Sequence, residues 1–435
     1  MFLFVTLAFS NKPIILVPPL YGSNLWVTYD QMDANWYCPD KMSDTVIWVN
    51  PKLVVPPMYN CLFQMLQLYW DNDNNKIISK PGLNISVHDF GGEESVRYVV
   101  SDFYGINLIE TFASIIDFFK DNGYTIKKDI LAAPYDWRMA PAGLDDFWPK
   151  LINLIETTYE NNDHQKITMF GFSCGGHSLQ QFLSEHVKPD WIHRYIDRAI
   201  LLAPSFGAAT ESFHALWEGK FPIVPVLNSQ ELADMVESMA VVHCHLPNHV
   251  IFGDDEVVRS PYDQKYTASQ VRDLLVNNSK ITGDNIKILD KCQELSRKAP
   301  GSLHLPTYII YNSAVQTNFI VNFKNGWDKP AKQIPVPGDG TIIAKGTQWA
   351  CQNWPVDEYP LYCEDLYRDN EDFVHQPLAA NPYVHDLIYK LHTNDDWINT
   401  KGRYRITSQY IVVNKNMTYE ARTDIRERHV TFSMN

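Results

Sequence analysis

Short apolar runs alternate along this chain with longer stretches in which apolar side chains return every three or four residues. Ile14-Ile15-Leu16-Val17, held between Pro13 and Pro18, is the kind of run that forms a strand buried on both faces. Lys166–Phe170, Arg198–Leu202 and Tyr308–Tyr311 read the same way. Between them, Ile109, Phe112, Ile116 and Phe119 stripe one helix, and Leu151, Leu154, Ile155 and Tyr159 a second. Leu179, Phe182, Leu183 and Val187 stripe a third. Strands separated by amphipathic helices predict a mostly parallel α/β sheet with right-handed crossovers. Two blocks break the rhythm. Residues 38–98 carry apolar side chains at irregular spacing, and residues 206–305 carry helices and polar loops, as an inserted cap would. That leaves 11–37, 99–205 and 306–392 as the body of the fold, with a polar tail over 393–435 to which we assign no function.

Composition narrows the partners. Hydrophobic content of 45% and charge of 20% are globular values. The acidic excess, 51 Asp and Glu against 37 Lys and Arg, excludes nucleic acid as a partner and adsorption to anionic membranes through bulk charge. Residues 1–10 are apolar, too short to span a bilayer, and read as a short secretory signal, with a first strand as the other reading. Cys174 aside, six cysteines remain that can pair in an oxidising compartment. Asn84, Asn277 and Asn416 head glycosylation sequons that would serve a secreted chain.

Gly171-Phe172-Ser173-Cys174-Gly175 joins the Lys166–Phe170 run to the helix striped by Leu179. A serine attacks a carbonyl only when its oxygen is thrust clear of the backbone on a tight strand-to-helix turn. That turn crowds the positions two before and two after the serine, and glycine relieves the crowding. Strand, turn and helix together predict the nucleophile elbow of an α/β-hydrolase with Ser173 as nucleophile; a serine that merely caps the helix is the other reading. Such folds place an acid and then a histidine later in the chain. Asp339, in Gly338-Asp339-Gly340-Thr341 beyond a Pro/Gly loop at Val336-Pro337, and His375 follow in that order. His375 would take the serine proton, and Asp339 would fix the imidazole tautomer. Spacing leaves His385 and His392 as rival bases and Asp357 and Asp365 as rival acids.

The oxyanion formed on attack needs two backbone N–H donors. Cys174, next after the nucleophile, is one; Leu20 in Pro18-Pro19-Leu20-Tyr21-Gly22 is the other, because prolines carry no N–H. His243-Cys244-His245 with His249 invites a metal reading, but the spacing matches no zinc pattern. No metal or organic cofactor is expected.

With these residues assembled, the chain resembles the lecithin:cholesterol acyltransferase and lysosomal phospholipase A family. The likeness runs from Leu16-Val17-Pro18 through the Cys38…Cys61 pair around Ile47-Trp48, then Pro81-Gly82 to Phe90-Gly91. It continues through Ala133-Pro134-Tyr135-Asp136-Trp137-Arg138, the elbow, Ala203-Pro204, Gly338–Thr341 and His375. The resemblance implies Ser173, Asp339 and His375 as the triad, with oxyanion donors at Leu20 and Cys174. It also implies a Cys38–Cys61 disulfide closing a lipid-engaging loop, worth about 3 kcal/mol by chain entropy. Tyr135, Asp136 and Arg138 would hold a turn near the site. Three positions depart from the family pattern: Phe172 replaces a histidine, Pro19-Leu20 replaces a glycine and a small residue, and a second disulfide ending at Cys351 has no partner before Gly338. Cys351–Cys363 and Cys244–Cys292 are substitutes whose pairing the sequence leaves open.

The resemblance makes 38–98 a lipid-binding insertion, with Leu53, Val54, Val55, Leu62, Phe63, Leu66 and Trp70 as the side chains that would meet lipid; packing against the core is the alternative. Trp217 and Phe221 open the cap and are expected on a lid over an acyl pocket, or in a buried cap helix. The expected function is a serine-dependent O-acyltransferase and phospholipase A acting on glycerophospholipid, with a lipid alcohol or water as acceptor. Transient contact with a membrane or lipoprotein surface and an extracellular or lysosome-like location accompany it. A catalytically inactive lipid-binding protein and a neutral-lipid lipase are the alternatives.

Overall fold

The computed structural model describes residues 11–100, 109–209, 211–220, 229–356 and 358–395, and the backbone of 409–414, 417–422 and 431–434. The four short apolar runs form β1 (Ile14–Val17), β3 (Ile167–Phe172), β4 (Ile196–Leu202) and β5 (Thr307–Tyr311), and two strands that the pattern had not singled out, β2 (Ile130–Ala132) and β6 (Leu361–Asp365), complete the sheet. They lie side by side in the order β6-β5-β4-β3-β1-β2, every pairing parallel, with Val17 opposite Gly171. This is an α/β-hydrolase sheet. Side chains alternate across it. Ile15, Val17, Met169, Leu201 and Ile309 enter one apolar core, while Ile14, Leu16, Phe170, Phe172, Ile200 and Ile310 enter the other. Both faces are covered, which is why the strands read as unbroken apolar runs rather than alternating ones.

The second core is closed by the helices Ala113–Asp121 and Pro382–Thr393, through Ile115, Ile116, Phe119, Val384 and Ile388. The expected stripe began one turn too early. Ile109 lies on a two-residue strand paired with Tyr98–Val100 and is 47% exposed, and Phe112 only precedes the helix. The helix after the elbow, Cys174–Gln181, widens into a π-turn over Phe182–His186, so Leu179, Phe182 and Leu183 are buried but Val187 is already extended. The chain straightens there ahead of Pro189, the first residue of the next helix.

The first core receives the two irregular blocks. In the earlier one, strand Met42–Trp48 pairs antiparallel with Leu25–Tyr29, which also pairs with Asn84–Ser86. Helix Tyr59–Leu66 and the hairpin Leu68–Asp71/Lys76–Ser79 follow. The later block is mostly helical, apart from the short strands Val258–Arg259 and Lys265–Tyr266, with Gln230–Ser238, Ala240–Cys244 and Asn285–Ser296 facing the insertion across a small cluster of Leu68, Ile77, Ala240, Cys244, Ile288 and Cys292. Three disulfides are present: Cys38–Cys61, Cys244–Cys292 and Cys351–Cys363.

Val336-Pro337 belong to a strand, Lys332–Gly338, and not to a loop. It pairs antiparallel with Val315–Asn322 at the edge of a four-stranded sheet, where the missing N–H groups of Pro335 and Pro337 can face away from the ladder. The polar tail contains strands Gln409–Asn414, Met417–Arg422 and Thr431–Met434 in an antiparallel sheet. Residues 1–10 lie outside the described residues.

Candidate active site

Ser173 follows β3 directly and has φ 55° and ψ −121°, a conformation L-residues rarely adopt. The neighbouring glycines make it possible. A Cβ on Gly171 would lie 2.8 Å from the Gly176 Cα, and one on Gly175 would lie 2.3 Å from the Val17 carbonyl oxygen and 2.4 Å from that of Pro18. Gly175 therefore lets the chain leaving β1 pass directly against the elbow. Ser173 is also held by its backbone, its N–H donating to Leu202 O at 2.9 Å and its carbonyl accepting from Ser205 N at 3.2 Å.

Asp339 and His375, the expected acid and base, arrive from the other side. His375 Nε2 lies 2.8 Å from Ser173 Oγ, and its Nδ1 lies 2.7 Å from Asp339 Oδ2. Asp339 follows the edge strand Lys332–Gly338, and its Oδ1 accepts from the N–H groups of Thr341 at 3.0 Å and Ile342 at 2.7 Å. Backbone closes the unit, with His375 N donating to Asp339 O at 2.8 Å and Gly340 N to Thr317 Oγ1 at 2.8 Å. All three side chains are nearly buried, at 5%, 2% and 7% exposure for Ser173, Asp339 and His375.

The rivals are occupied elsewhere. His385 Nε2 donates to Ala379 O, and His392 sits between Thr168 and Tyr124 at the far end of β3. Asp365 accepts from Ser313 and from Tyr367 N, and burial raises its carboxyl above the usual range. Asp357 lies outside the described residues. The His243–His249 cluster is structural: His243 meets Glu237 O, His245 bridges Val241 O and Ser205 Oγ, and His249 meets Gln293. The His245–Ser205 contact, 2.7 Å, ties the cap to the residue that holds the Ser173 carbonyl.

Leu20 and Tyr21 form the corners of a turn closed by Gly22 N donating to Pro19 O at 3.0 Å, with Tyr21 at φ 66°. The six-residue Ala133–Arg138 stretch holds that turn. Tyr135 Oη donates to Pro18 O at 2.9 Å, Tyr135 N to Ser23 Oγ at 3.1 Å, and Trp137 Nε1 to Ser23 O at 3.1 Å. Trp48 Nε1 adds a bond to Tyr21 O at 3.1 Å. Arg138, fully buried, is paired with Asp136 and reaches the carbonyls of Met65 and Leu66 at the end of the insertion helix. Cys174 is a free thiol whose pKa is pushed up to about 12 by burial, so it stays uncharged. Only its backbone N–H, among the unpaired donors at the helix start, suits it to the oxyanion.

An apolar cavity of about 370 Å³ opens beside these groups. Its wall includes Leu20 on one side and Gln376, next to His375, on the other, with Trp48, Leu62, Phe63 and Leu66 from the insertion and Met235 and Met239 from the cap. The lipid-facing set from the sequence therefore splits. Leu62, Phe63 and Leu66 are buried against the cavity, Leu53 is buried in the core, Trp70 is half-buried in a hairpin, and only Val54 and Val55 are exposed. Trp217 is not a lid surface: it is 4% exposed, packed against Phe213, Phe323 and Trp327 with Lys280 over its ring. Phe221 lies outside the described residues. Sequence reasoning missed Trp48, Gln376, Met235 and Met239. The methionines are far from the elbow in the chain, and no local pattern marks them.

At Phe172, where the family pattern has histidine, the ring stacks on His375 and leaves the hydrogen-bonded chain intact.

The family model described as lecithin:cholesterol acyltransferase matches residues 44–316. Among curated relatives, phosphatidylcholine-sterol acyltransferase of Mus musculus is 25% identical over 348 residues, covering 79% of this chain and 77% of that protein. Lysosomal phospholipase A and acyltransferase of Bos taurus is 24% identical over 350 residues, covering 79% of this chain and 83% of its own. Among solved structures, Bacillus licheniformis lipase BlEst2 aligns over 63% of this chain and 81% of that one, at 11% identity and a TM-score of 0.31.

Proposed function

The chain belongs to the lecithin:cholesterol acyltransferase family, and on that premise we propose that it is a serine-dependent lipid acyltransferase and phospholipase A. Ser173 Oγ passes its proton to His375 Nε2 and attacks the acyl carbonyl of a glycerophospholipid. The resulting oxyanion accepts hydrogen bonds from the backbone N–H groups of Cys174 and Leu20. Collapse breaks the ester bond, His375 returns the proton to the departing lysophospholipid oxygen, and the acyl group stays on Ser173. Water or a lipid alcohol then loses its proton to His375 and attacks the acyl-enzyme. The products are a fatty acid or an acylated alcohol and the free serine. Asp339 fixes the imidazole tautomer throughout and stabilises the imidazolium.

The observation that carries this reading is the chain of contacts from Ser173 Oγ to His375, 2.8 Å, and from His375 to Asp339, 2.7 Å. The apolar cavity beside it supports an acyl chain as the bound group, each buried methylene contributing about 0.8 kcal/mol. Exposed Val54, Val55 and Trp36 near the Cys38–Cys61 disulfide give the protein apolar side chains for transient contact with a membrane or lipoprotein surface. The disulfides favour an oxidising compartment, extracellular or lysosome-like, and exposed Asn84 and Asn277 are open to glycosylation there.

Incubation with acyl-labelled phospholipid, with and without a lipid alcohol, tests the proposal. Labelled fatty acid alone, or acylated alcohol when the alcohol is present, is expected from the wild-type protein and neither from Ser173→Ala. Equal product from both proteins overturns it.

A further inference from the structure

Resting on the reading of Ser173, His375 and Asp339 as a triad, we propose that Phe172 is a positioning residue that seats the His375 imidazole and favours its protonated form. The two rings stack with centroids 5.0 Å apart and planes 28° from parallel. Phe172 is fully buried at the end of β3, and it shares its core with Phe373 and Leu378, which flank His375 in the chain. Its ring has no room to swing aside.

The geometry of His375 gives that ring a task. Its two hydrogen bonds, to Asp339 and Ser173, leave from the two different nitrogens of the imidazole. They fix where the ring points but not its tilt about the line joining the partners. A face contact stops the tilt. The face of a phenyl ring is also its electron-rich side, so it attracts an imidazolium more than a neutral imidazole. Proton transfer from Ser173 creates that imidazolium. The contact therefore strengthens in the step that matters.

Other charged and titratable groups surround the base. Asp339 meets it directly, and Glu371 and Asp372 lie on its own loop. The Glu110 carbonyl accepts from Gln376, and Arg368 lies over Phe373 and Tyr383. On the elbow and cap side, His177 and His245 are held neutral by burial, and Tyr21 is raised by it. None of these groups is itself changed by a substitution at 172, so a change in the pH profile reports the ring.

The test follows phospholipid turnover and fluorophosphonate labelling of Ser173 between about pH 4 and pH 9 in wild type, Phe172→Leu and Phe172→Tyr. A histidine works as a base only when neutral, so both rates are expected to fall on the acid side through a midpoint. Phe172→Leu is expected to move that midpoint down by about half a unit to one unit and to lower the plateau about 3- to 10-fold, while Phe172→Tyr keeps both. Phe172→Met, which keeps volume without a ring, reads the same quantity should the leucine variant unfold. A lowered plateau with an unmoved midpoint in a folded ringless variant assigns Phe172 to packing alone and overturns the proposal. So does a tyrosine variant that behaves like the leucine one. Absence of wild-type labelling would instead sink the triad reading, a separate failure.

Discussion

The two ends of β3 each carry a buried histidine bonded to a hydroxyl, yet only one end has the surroundings that the proposed chemistry needs. At the carboxyl end His375 meets Ser173 Oγ at 2.8 Å; at the amino end His392 meets Thr168 Oγ1 at 2.8 Å. The difference lies in what else touches each ring. His375 has the Asp339 carboxylate on its second nitrogen, whereas His392 has the Tyr124 hydroxyl at 2.9 Å and the Lys12 carbonyl at 3.1 Å. Burial, helped by Lys12 and Arg198, pushes His392 down to about 3, so it stays neutral through the physiological range. Ser173 stands on a positive-φ turn that thrusts its oxygen outward, while Thr168 is an ordinary, fully buried strand residue. A histidine and a hydroxyl make a hydrogen bond anywhere; a carboxylate, a strained turn and an adjoining cavity are what the proposed reaction adds to it.

Substitutions on the two sides should separate accordingly. Ser173→Ala is expected to lower turnover by about 10⁶-fold, to background, without loss of fold. Thr168→Ala should leave turnover per folded molecule within about twofold, at a stability cost of about 1 kcal/mol. A large turnover loss in the threonine variant would erase the contrast. Next in size, Asp339→Asn should cost about 10⁴-fold in kcat by favouring the wrong tautomer. Asp365→Asn, assayed alongside, should cost none of that; comparable kinetics for the two would move the acid role to Asp365.

His392→Phe strands the hydroxyls of Thr168 and Tyr124 and should destabilise the protein by about 1–3 kcal/mol in urea unfolding, with kcat retained. Unchanged stability would show that this network contributes nothing to the fold. The smallest effect is pH-dependent. Folded His392 titrates at about 3, whereas an unfolded histidine titrates near 6.5. Between those values the unfolded chain holds more protons, so stability should fall as pH drops through about 6.5, by up to about 1.4 kcal/mol per pH unit for this group. His392→Phe should remove that part of the slope; an equal slope in both proteins would assign the uptake to other buried histidines such as His177.

What could be read from the chain follows the same division. The elbow was legible because its demand is local: the positive φ at Ser173 and the close approaches at Gly171 and Gly175 fall within five residues. Four of the strands were legible because both faces of the sheet are buried, so most of their side chains are apolar. Spacing alone did not separate His375 from His392, since only the fold decides which end of β3 each reaches; the family resemblance is what singled out His375. Val336-Pro337 read as a loop because prolines rarely sit in strands, and only the edge position admits them. The substrate side was the least legible. Leu62, Phe63 and Leu66 were recognised as apolar, but whether they faced lipid or cavity depended on Met235 and Met239, brought in from the cap.

The buried guanidinium of Arg138 grips the insertion helix by the carbonyl oxygens of Met65 and Leu66, while Tyr135 and Trp137 grip the chain at Pro18 and Ser23 on either side of the Leu20–Tyr21 turn. Such a clasp is blind to side-chain identity. Neighbouring positions on that helix are thus free to swap one apolar residue for another, remoulding which acyl chain or alcohol is admitted, while the scaffold keeps its grip and the reactive centre keeps its alignment.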